Sequence, residues 1–396
     1  MQMHLLGVLF ALLFLNGDLD PVRIFLVPFD HHQKDSKKIE IQVEFLNCFD
    51  EEKETVFLLE NSFDELFLTV NNNLYGLESM NLISIKGRRL NETLMSDIVF
   101  SGEPDFQLAY RVFNQDQVAR DIEVIRKKLL GDKQVILFGY SSAATVFQYY
   151  LSLFPRHVKR AVFLNPLVFD IQKNLSFPKV DLLFPEIKLT QEQLFDFSYY
   201  ANYQAINNSR EDAIMASKIN LSQFLTFQDL VKGLANSSSQ DKNYPLMVKM
   251  FEHSLAMSGI QSDTLKVNPV FKLLKEKSKP IWEAYTKFDF EVYGTNYDKV
   301  FEFPGKLTLI GGVNDQMIYP KSYDALAEFY ADCTLLLIKD GHAIQKIIQS
   351  QMLSSLLGAF LEDDVSKKIA AYKKLTQEDF LFLKYKEGIF KLPPPF

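Results

Sequence analysis

The chain has 396 residues, of which 47% are hydrophobic and 23% charged, enough for one large α/β domain with an insertion or for two domains. The formal net charge is -7 and no long run of like charges occurs, which argues against a nucleic-acid-binding surface. With Cys48 and Cys333 as its only cysteines, the chain can form neither a disulfide framework nor a zinc site made of thiolates.

The N-terminus is mostly apolar from Leu5 to Leu15, and Gly17 offers a cleavage site. A stretch of this length suits the core of a signal peptide and is too short to cross a bilayer, so we expect no transmembrane segment here. Residues 1–17 therefore predict a cleaved signal peptide and a secreted or periplasmic protein. Because positive charges before the apolar run are missing, the alternative is a buried first element of the fold in a cytoplasmic protein.

The next part of the chain is rich in strand-like runs, at residues 22–27, 39–46, 55–59 and 82–85. The run IEIQVEFL at 39–46 alternates apolar and polar residues, as a half-exposed strand does, whereas TVFLL at 55–59 is apolar after its first residue. These runs predict a sheet that passes from an exposed edge to a buried centre.

The following segments alternate between helical and strand-like character. From Asp116 the spacing of apolar residues predicts a helix that Gly131 ends, and the buried strand VILF follows. A Gly-Tyr-Ser-Ser-Ala turn, a helix and the strand AVFL come next. This alternation predicts an α/β fold with a doubly wound, mostly parallel sheet, and residues 18–170 form the first part of that core.

Strand-like runs become rare in residues 171–303, which we predict to be a helical lid inserted into the core. Strand character returns with KLTLI and TLLLI, and a final amphipathic helix is predicted over residues 344–360. These elements place the second part of the core at residues 304–361. The sequence of the C-terminal extension, 362–396, indicates no role.

The turn GYSSA has the features of a nucleophile elbow, in which a serine is held between a strand and a helix. Residues two positions before and after the serine must be small, and Gly139 and Ala143 meet that condition around Ser141. The N-terminus of the helix that starts at Ser142 also favours negative charge on the serine oxygen. The alternative is a serine-rich turn that only caps a helix. Ser142 is the weaker nucleophile candidate, because the bulky Tyr140 lies two residues before it.

A serine needs a base to take its proton and an acid to orient that base. His342 follows TLLLI through a short loop and Asp315 follows KLTLI, so both lie where doubly wound folds build their sites. We predict His342 as the base and Asp315 as the acid; the alternatives are a solvated loop histidine and an aspartate in an ordinary turn. Asp340 is a rival acid, but it lies close to His342 in the same loop. No comparable placement is found for the other histidines, His4, His31, His32, His157 and His253.

With serine, aspartate and histidine in this order, the chain resembles the α/β-hydrolase superfamily, and within it the proline-iminopeptidase-like and lipase/esterase-like branches. The resemblance is carried by DQVARDIEVIRKKLLGDKQVILFGYSSAATVFQYYLSLFPRHVKRAVFLNP, by KLTLIGGVNDQMIYPKSYDALAEFY and by LLLIKDGHA. It covers the core, roughly residues 38–170 and 303–360, but not the lid or the tail. It implies that Ser141 attacks an acyl carbonyl, that His342 moves the proton and that Asp315 orients His342.

The resemblance also implies an oxyanion hole made of the backbone N–H of Ser142 and of one N–H after TVFLL, for which Asn61 is the candidate. Enzymes that look like this usually have His-Gly or Gly-Gly there, whereas this chain has Glu60-Asn61-Ser62. Glycine adopts conformations that Asn and Ser adopt less easily, and a carboxylate pointing at the oxyanion would oppose catalysis. The proline-iminopeptidase elbow normally reads Gly-Gly-Ser rather than Gly-Tyr-Ser, which disfavours an aminopeptidase.

These observations predict a serine hydrolase that cleaves a carboxylic ester or amide. Esterase or lipase activity is preferred because the predicted lid is rich in Phe, Tyr and Leu. One alternative is an aminopeptidase of the proline-iminopeptidase type. Another is a hydrolase-like binding protein that has lost activity, which Glu60-Asn61-Ser62 suggests. The expected ligand is a small, apolar ester or amide, and we expect no metal or organic cofactor because the sequence has no ligand cluster or phosphate loop.

Overall fold

The computed structural model describes residues 21–60, 77–99, 102–167, 243–258, 274–314, 322–323, 326–327, 330, 332–342, 344–381 and 386–387. The predicted signal peptide at 1–17 lies outside these residues. So does much of the predicted lid, because 168–242 and 259–273 are not among them.

The described residues form nine strands of one sheet: β1 (Val22–Pro28), β2 (Lys38–Phe45), β3 (Thr55–Leu59), β4 (Asn81–Ile85), β5 (Val135–Tyr140), β6 (Val158–Leu164), β7 (Lys306–Asn314), β8 (Cys333–Gly341) and β9 (Lys386–Glu387). Their order across the sheet is β1-β2-β4-β3-β5-β6-β7-β8-β9. Strands β3 to β8 are parallel to their neighbours within that group, whereas β1, β2 and β9 pair in the antiparallel sense. The predicted mostly parallel sheet is confirmed.

Ten α-helices are described: α1 (Glu92–Ile98), α2 (Phe106–Phe113), α3 (Gln115–Leu130), α4 (Ser142–Leu153), α5 (Tyr244–Ser258), α6 (Lys279–Phe288), α7 (Tyr297–Val300), α8 (Gln345–Gln349), α9 (Leu353–Leu361) and α10 (Val365–Gln377). None of these helices is both long enough and apolar enough to cross a membrane.

Helices cover both faces of the sheet. Along β3, Phe57 and Leu59 belong to an apolar cluster that includes residues of α2, α3 and α4. The alternate residues Val56 and Leu58 belong to a second cluster, which includes residues of α9 and α10. Because successive side chains of a strand point to opposite faces, the two clusters lie on opposite sides of the sheet. This arrangement is the doubly wound one.

The sheet passes from an exposed edge to a buried centre, as its sequence predicts. Every residue of β3 and of β4 is buried, whereas β2 alternates between buried and exposed side chains. At the edge, on β1, Ile24 and Leu26 are 49% and 50% exposed. The apolar run in β3 therefore reflects its central position, since a strand covered on both faces has no side for polar residues.

Helix α3 begins one residue before the predicted position. The side-chain oxygen of Asn114 accepts from the backbone N–H of Gln117 at 3.1 Å, which caps the first turn. Ile122 and Ile125 are fully buried against the sheet. Gly131 follows the last turn with φ 59°, a conformation that glycine adopts without steric penalty. Both ends of α3 are thus explained by local sequence.

The predicted lid leaves the core between two strands that are neighbours in the sheet. β6 and β7 pair in parallel, with Ala161 opposite Leu307. Within the described part of the intervening chain, the structure has α5, α6 and α7 and no strand. The helical character predicted for 171–303 agrees with these residues, and its role as a lid stays a prediction.

The prediction of a single helix over residues 344–360 is wrong. The structure has two helices, α8 and α9, with Gln351 at φ 57° between them. Ile347 and Met352 are both buried, yet residues five apart on a continuous helix point about 140° away from each other. The break lets both side chains reach the same apolar cluster.

Part of the C-terminal extension belongs to the core, which its sequence did not indicate. α10 buries Ala371 and Leu375 in the second apolar cluster. The short β9 then pairs with β8 in the antiparallel sense, with Glu387 opposite Thr334. The described residues of the tail therefore cover the edge strand β8, which would otherwise expose unpaired backbone groups.

Candidate active site

The turn between β5 and α4 has the backbone geometry of a nucleophile elbow. β5 ends at Tyr140 and α4 begins at Ser142, so Ser141 alone makes the turn. Ser141 has φ 52° and ψ -119°, a combination that non-glycine residues rarely adopt and that costs about 1–3 kcal/mol. Its backbone N–H donates to the Leu164 carbonyl at 3.0 Å. The end of β6 thereby holds the strained peptide.

Gly139 allows the strand and the helix to meet at this turn. A Cβ added at Gly139 would lie 2.6 Å from the Cα of Ala144 and 2.8 Å from its backbone nitrogen, so the backbone would have to move. The sequence pointed to Ala143 as the small residue on the helix side, but the close approach is to Ala144. Ala143 is itself buried, at 3% exposure. The requirement for small side chains therefore extends further into α4 than predicted.

His342 lies beside the serine, as predicted from its position after β8. Its Nε2 is 2.9 Å from the Oγ of Ser141, within hydrogen-bond reach, and its side chain is buried. The imidazole stacks on the ring of Tyr140, with 5.8 Å between ring centroids and 30° between planes. This geometry lets a proton pass directly between the hydroxyl and the ring.

Asn165 joins the ends of three strands at this site. It directly follows β6 and is fully buried. Its Nδ2 donates to the carbonyls of His342 and Gly341 at 2.8 and 3.2 Å, and its Oδ1 accepts from the N–H of Gly312 at 2.7 Å. Asn165 was not among the predicted site residues, although it follows a strand of the sheet just as His342 does. We call the group of Tyr140, Ser141, Asn165, Gly312 and His342 the elbow cluster.

The rival acid Asp340 organises the loop that carries His342. It is buried at 2% exposure. Its Oδ1 accepts from the N–H of Gly341 at 2.8 Å and its Oδ2 accepts from the N–H of Ile347 at 3.0 Å. Both carboxylate oxygens thus bind backbone groups, one on each side of His342. These bonds fix the course of the loop from β8 into α8.

Two of the predicted site residues, Asp315 and Asn61, lie outside the described residues, so the acid and the second oxyanion donor stay predictions. Ser142 is described. It is fully buried and begins α4, which puts its backbone N–H at the positive end of the helix dipole beside Ser141.

The carboxylate of Glu60 is held by neighbouring side chains. It accepts from Ser84 at 3.0 Å and from Lys86 at 2.5 Å, and Arg89 lies 3.2 Å from its other oxygen. Burial alone would raise the pKa of Glu60, but the hydrogen bond and charge of Lys86 are foremost among the effects that lower it below its ordinary value. Its negative charge is therefore balanced locally, which weakens the electrostatic objection to an oxyanion hole nearby.

A cavity of about 350 Å³ lies beside α4. Thr145, one helical turn beyond Ser141, and Leu167, which follows β6, contribute to its wall. The rest of the wall comes from α2, from Gln115 at the start of α3, from α5 and from residues 292–297, with the aromatic rings of Tyr110, Tyr293 and Tyr297 among them. The lining combines apolar and polar side chains and has room for a small organic group.

A second polar group, buried except for the 42% exposed side chain of His32, joins the loop after β1 to α3. We call it the ion cluster, and it consists of His31, His32, Arg88, Asp116 and Asp121. Arg88 donates from Nε and Nη2 to the carboxylate of Asp121 at 2.6 and 2.9 Å. The Nε2 of His31 lies 2.7 Å from Asp121, and the Nε2 of His32 lies 2.7 Å from Asp116. These histidines, which the sequence placed in a charged loop, therefore face buried carboxylates.

Asp116 is bound by several side chains inside and outside the ion cluster. Besides His32, it accepts from Arg120 at 2.8 Å and from the hydroxyl of Tyr149 at 2.9 Å. Burial alone would raise the pKa of Asp116, but the hydrogen bonds of Arg120 and Tyr149 lower it below its ordinary value. The carboxylate is thus kept ionised at neutral pH.

The other described histidines lie away from Ser141. The Nδ1 of His157 is 3.1 Å from the carboxylate of Glu123. His253, in α5, lines the cavity, and its burial lowers its pKa well below the ordinary value, helped by the charge of Lys249. Among the described residues, no group of three or more His, Cys, Asp or Glu side chains could hold a metal ion.

Comparison with known proteins gives one family. A sequence model of the α/β-hydrolase fold matches residues 92–346, which is more than half of the chain. No curated protein matches the sequence. The matched region contains the elbow, Asn165 and His342.

Several solved structures are similar to the chain at low identity. An acetylester hydrolase from Corynebacterium glutamicum is 12% identical, with 86% of this chain and 95% of that chain covered and a TM-score of 0.44. The epoxide hydrolase of Bacillus megaterium is 13% identical, with 81% and 97% covered and a TM-score of 0.39. An α/β-hydrolase enzyme from a Medee basin deep-sea metagenome library is 12% identical, with 82% and 94% covered and a TM-score of 0.41. The assignment rests on the sequence model and not on these structures: the chain belongs to the α/β-hydrolase fold family.

Proposed function

We propose that this protein is a serine hydrolase that transfers an acyl group from a carboxylic ester or amide to water through Ser141. Its general class, a hydrolase, follows from its family. The chemistry is supported by one observation above all: a serine hydroxyl on a strained elbow lies 2.9 Å from the Nε2 of a buried histidine. A hydroxyl is a poor nucleophile without such a base.

In the proposed reaction, the Oγ of Ser141 attacks the acyl carbonyl carbon while its proton passes to the Nε2 of His342. The tetrahedral intermediate collapses, and the leaving alcohol or amine takes that proton, which leaves an ester on Ser141. A water molecule then attacks this ester and gives its proton to His342. The second collapse releases the carboxylic acid and returns the proton to the serine oxygen.

Two further roles complete the proposal. The backbone N–H of Ser142, at the N-terminus of α4, stabilises the oxyanion of each intermediate, with Asn61 as the proposed second donor. Asp315 is the proposed acid that orients His342 and stabilises its charged form. The local balance of the Glu60 charge by Lys86 supports this scheme over a hydrolase-like protein that has lost activity.

The cavity beside α4 is the proposed place for an apolar acyl or alcohol group of the substrate; Thr145 lines it one helical turn beyond Ser141, whereas Ser141 and His342 themselves do not line it. The apolar part of its wall consists of Leu167, Leu255 and Val292 and the tyrosine rings, and it lies beside the polar side chains of Gln115, Glu252 and His253. A panel of p-nitrophenyl esters of increasing acyl length, set against aminoacyl anilides, tests this preference. Faster cleavage of the anilides would favour the aminopeptidase alternative instead.

Labelling with a fluorophosphonate probe tests the proposed nucleophile. We expect the purified protein to be labelled and Ser141→Ala not to be labelled. Ser152→Ala is the matched control, because Ser152 lies in the same helix and donates to the Tyr149 carbonyl away from the elbow. Absence of labelling in the wild type, or equal labelling of Ser141→Ala, would refute the proposal.

A further inference from the structure

We propose that Asn165 is the positioning residue of His342. Its side-chain amide binds the backbone carbonyls of Gly341 and His342 and thereby keeps Nε2 of the imidazole within reach of Ser141. This inference rests on the proposed function, because it concerns how the base of that reaction is held. Neither Asn165 nor its partner Tyr140 need touch the substrate to act in this way.

The backbone conformation of Asn165 directs its side chain toward the ends of the neighbouring strands. It follows β6 with φ 43°, in the left-handed region that asparagine tolerates better than most residues. Its own N–H donates to the carbonyl of Ile310 in β7 at 2.7 Å. The chain therefore turns off the sheet at this residue and carries the side chain to the ends of the strands on that side.

The amide of Asn165 uses its acceptor and its donor group at once. The Oδ1 accepts from Gly312 in β7, and the Nδ2 donates to the carbonyls of Gly341 and His342 at the end of β8. A flipped amide would place its oxygen against two carbonyls and its NH₂ against an N–H, so the bonds themselves fix its orientation. Since the residue is fully buried, no water competes for these bonds.

Tyr140, at the end of the neighbouring strand β5, holds the same carbonyl. Its hydroxyl donates to the carbonyl of His342 at 2.7 Å, beside the Asn165 bond at 2.8 Å. Its ring also stacks on the imidazole. The two hydrogen bonds fix the peptide from which the His342 side chain projects, and the stacked ring restricts how that side chain can rotate.

The bonds of Asn165 and Tyr140 to the His342 carbonyl add to those of Asp340, which hold the loop at Gly341 and Ile347. His342 follows Gly341, and Ile344, two residues on, has φ 44°, a strained value for a β-branched residue. A displacement of about 1 Å in a reacting group can cost about 100-fold in rate. We therefore infer that Asn165 contributes to the rate through the position of His342, and not through the stability of the fold alone.

Asn165→Asp isolates the donor group. Aspartate has the same shape and can still accept from Gly312. As a carboxylate it cannot donate to the two carbonyls and repels them, and as a protonated acid it has one hydrogen to donate where the amide has two. We expect the maximal rate of fluorophosphonate labelling to fall by about 10- to 100-fold, with the concentration for half-maximal rate unchanged. Tyr140→Phe removes one donor and keeps the stacked ring, so we expect a smaller fall of about 3- to 10-fold.

A double-mutant cycle separates positioning from a purely structural role. If Asn165 acts through His342, Asn165→Asp has no further effect on cleavage of a p-nitrophenyl ester once His342→Ala has removed the imidazole. An equal fold-loss in both backgrounds would overturn the inference. So would a full wild-type rate in Asn165→Asp. If Asn165→Asp does not fold, the same cycle with Tyr140→Phe decides the question.

A second readout does not depend on the proposed function. In the Ser141→Ala background, the ¹³Cε1 NMR signal of His342 is identified by its loss in His342→Gln. We expect Asn165→Asp to shift or broaden this signal while the signals of His31 and His32 stay in place. An unchanged His342 signal would overturn the positioning role of Asn165 even if the protein proves to be a hydrolase. An unlabelled wild type with a shifted signal would instead refute the function and retain the positioning role.

Discussion

The elbow cluster is buried, and so is the ion cluster except for His32, whose side chain is 42% exposed. In each cluster a histidine Nε2 approaches an oxygen atom closely. In the ion cluster the oxygen belongs to a carboxylate, 2.7 Å from His31 and 2.7 Å from His32. In the elbow cluster it belongs to the hydroxyl of Ser141, 2.9 Å from His342. An ionised carboxylate can only accept a hydrogen bond from a histidine ring, whereas a hydroxyl can hand the ring a proton. The same ring atom therefore joins parts of the fold in the ion cluster, whereas in the elbow cluster it is the base of the proposed reaction.

The two clusters also differ in the charge of the side chains that hold them together. Arg88 brings a full positive charge to Asp121 inside the ion cluster. In the elbow cluster, the described bonds of Asn165 and Tyr140 are neutral and go to the backbone. Neutral bonds to a peptide fix the place of an imidazole and leave its ring nitrogen available for proton transfer. Buried charge should thus matter most for stability, and buried neutral bonds most for rate.

The largest expected effect separates the two kinds of histidine. His342→Gln should lower the rate of ester cleavage by about 10⁴-fold or more, because the base is lost, with little change in the melting temperature. His31→Gln should leave the rate per folded molecule unchanged and lower the melting temperature instead. Steady-state kinetics and thermal unfolding of both variants test this contrast, which fails if His31→Gln loses activity to the same extent.

The next effect concerns the buried charge of the ion cluster. Arg88→Met removes the guanidinium that faces Asp121 and also bonds the carbonyls of Pro28, Phe29 and Val112. We expect a loss of about 3–5 kcal/mol in the free energy of unfolding, since a buried carboxylate loses its main partner. In Arg120→Met, where the arginine side chain is 34% exposed, the loss should be about 1 kcal/mol or less. Urea unfolding of both variants measures these two losses in the free energy of unfolding. Equal losses would show that the burial of the arginine does not determine how much it stabilises the fold.

A smaller effect is expected at the glycine of the elbow. In Gly139→Ala the new Cβ would meet the backbone of Ala144 at 2.6 Å, so we expect about 1–3 kcal/mol of destabilisation and a fall in the labelling rate of Ser141. Gly131→Ala is the control, since its φ is 59° but no atom lies within 4 Å of the added Cβ. It should cost about 1 kcal/mol and leave the labelling rate unchanged. Unaltered labelling of Gly139→Ala would contradict the tight packing of the elbow.

The smallest effect involves His253, a buried histidine in neither cluster. Burial, helped by Lys249, lowers its pKa in the folded protein well below the ordinary 6.5. Its contribution to stability is therefore complete above pH 6.5 and is lost as the pH falls below that value, because the unfolded chain binds the proton first. The slope can reach about 1.4 kcal/mol per pH unit. Urea unfolding at pH 7, 6 and 5 should show that the free energy of unfolding depends less on pH in His253→Gln than in the wild type. The same pH dependence in both proteins would contradict a lowered pKa of His253.

Much of the sheet could be predicted because its signals are local. The apolar runs of β3 and β5 reflect burial on both faces, and Gly131 marks the end of α3 through its backbone freedom. Ser141 and His342 could be predicted as partners because parallel strands bring their carboxyl ends to one edge of the sheet. That rule gives the neighbourhood of a residue and not the bonds that it makes.

The missed features depend on contacts between distant parts of the chain. The partners in the ion cluster are up to 90 residues apart, as with His31 and Asp121, and no periodicity links them. Asn165 joins Gly312 and His342 across 147 and 177 positions. The pairing of β9 with β8 also joins distant parts of the chain, with Thr334 opposite Glu387. The break at Gln351 had a local signal in the five-residue spacing of Ile347 and Met352, but only their burial shows that both must face the core.

The backbone of Ser141 has one more consequence. At φ 52° and ψ -119° it occupies a region where glycine is at ease and other residues are not. Thermodynamics alone would therefore choose glycine at this turn, and Ser141→Gly should raise the melting temperature while it removes the hydroxyl. If selection for the proposed reaction were lost, we expect glycine to replace serine at this position. A serine that is kept here in related sequences would therefore indicate that those proteins have kept the reaction.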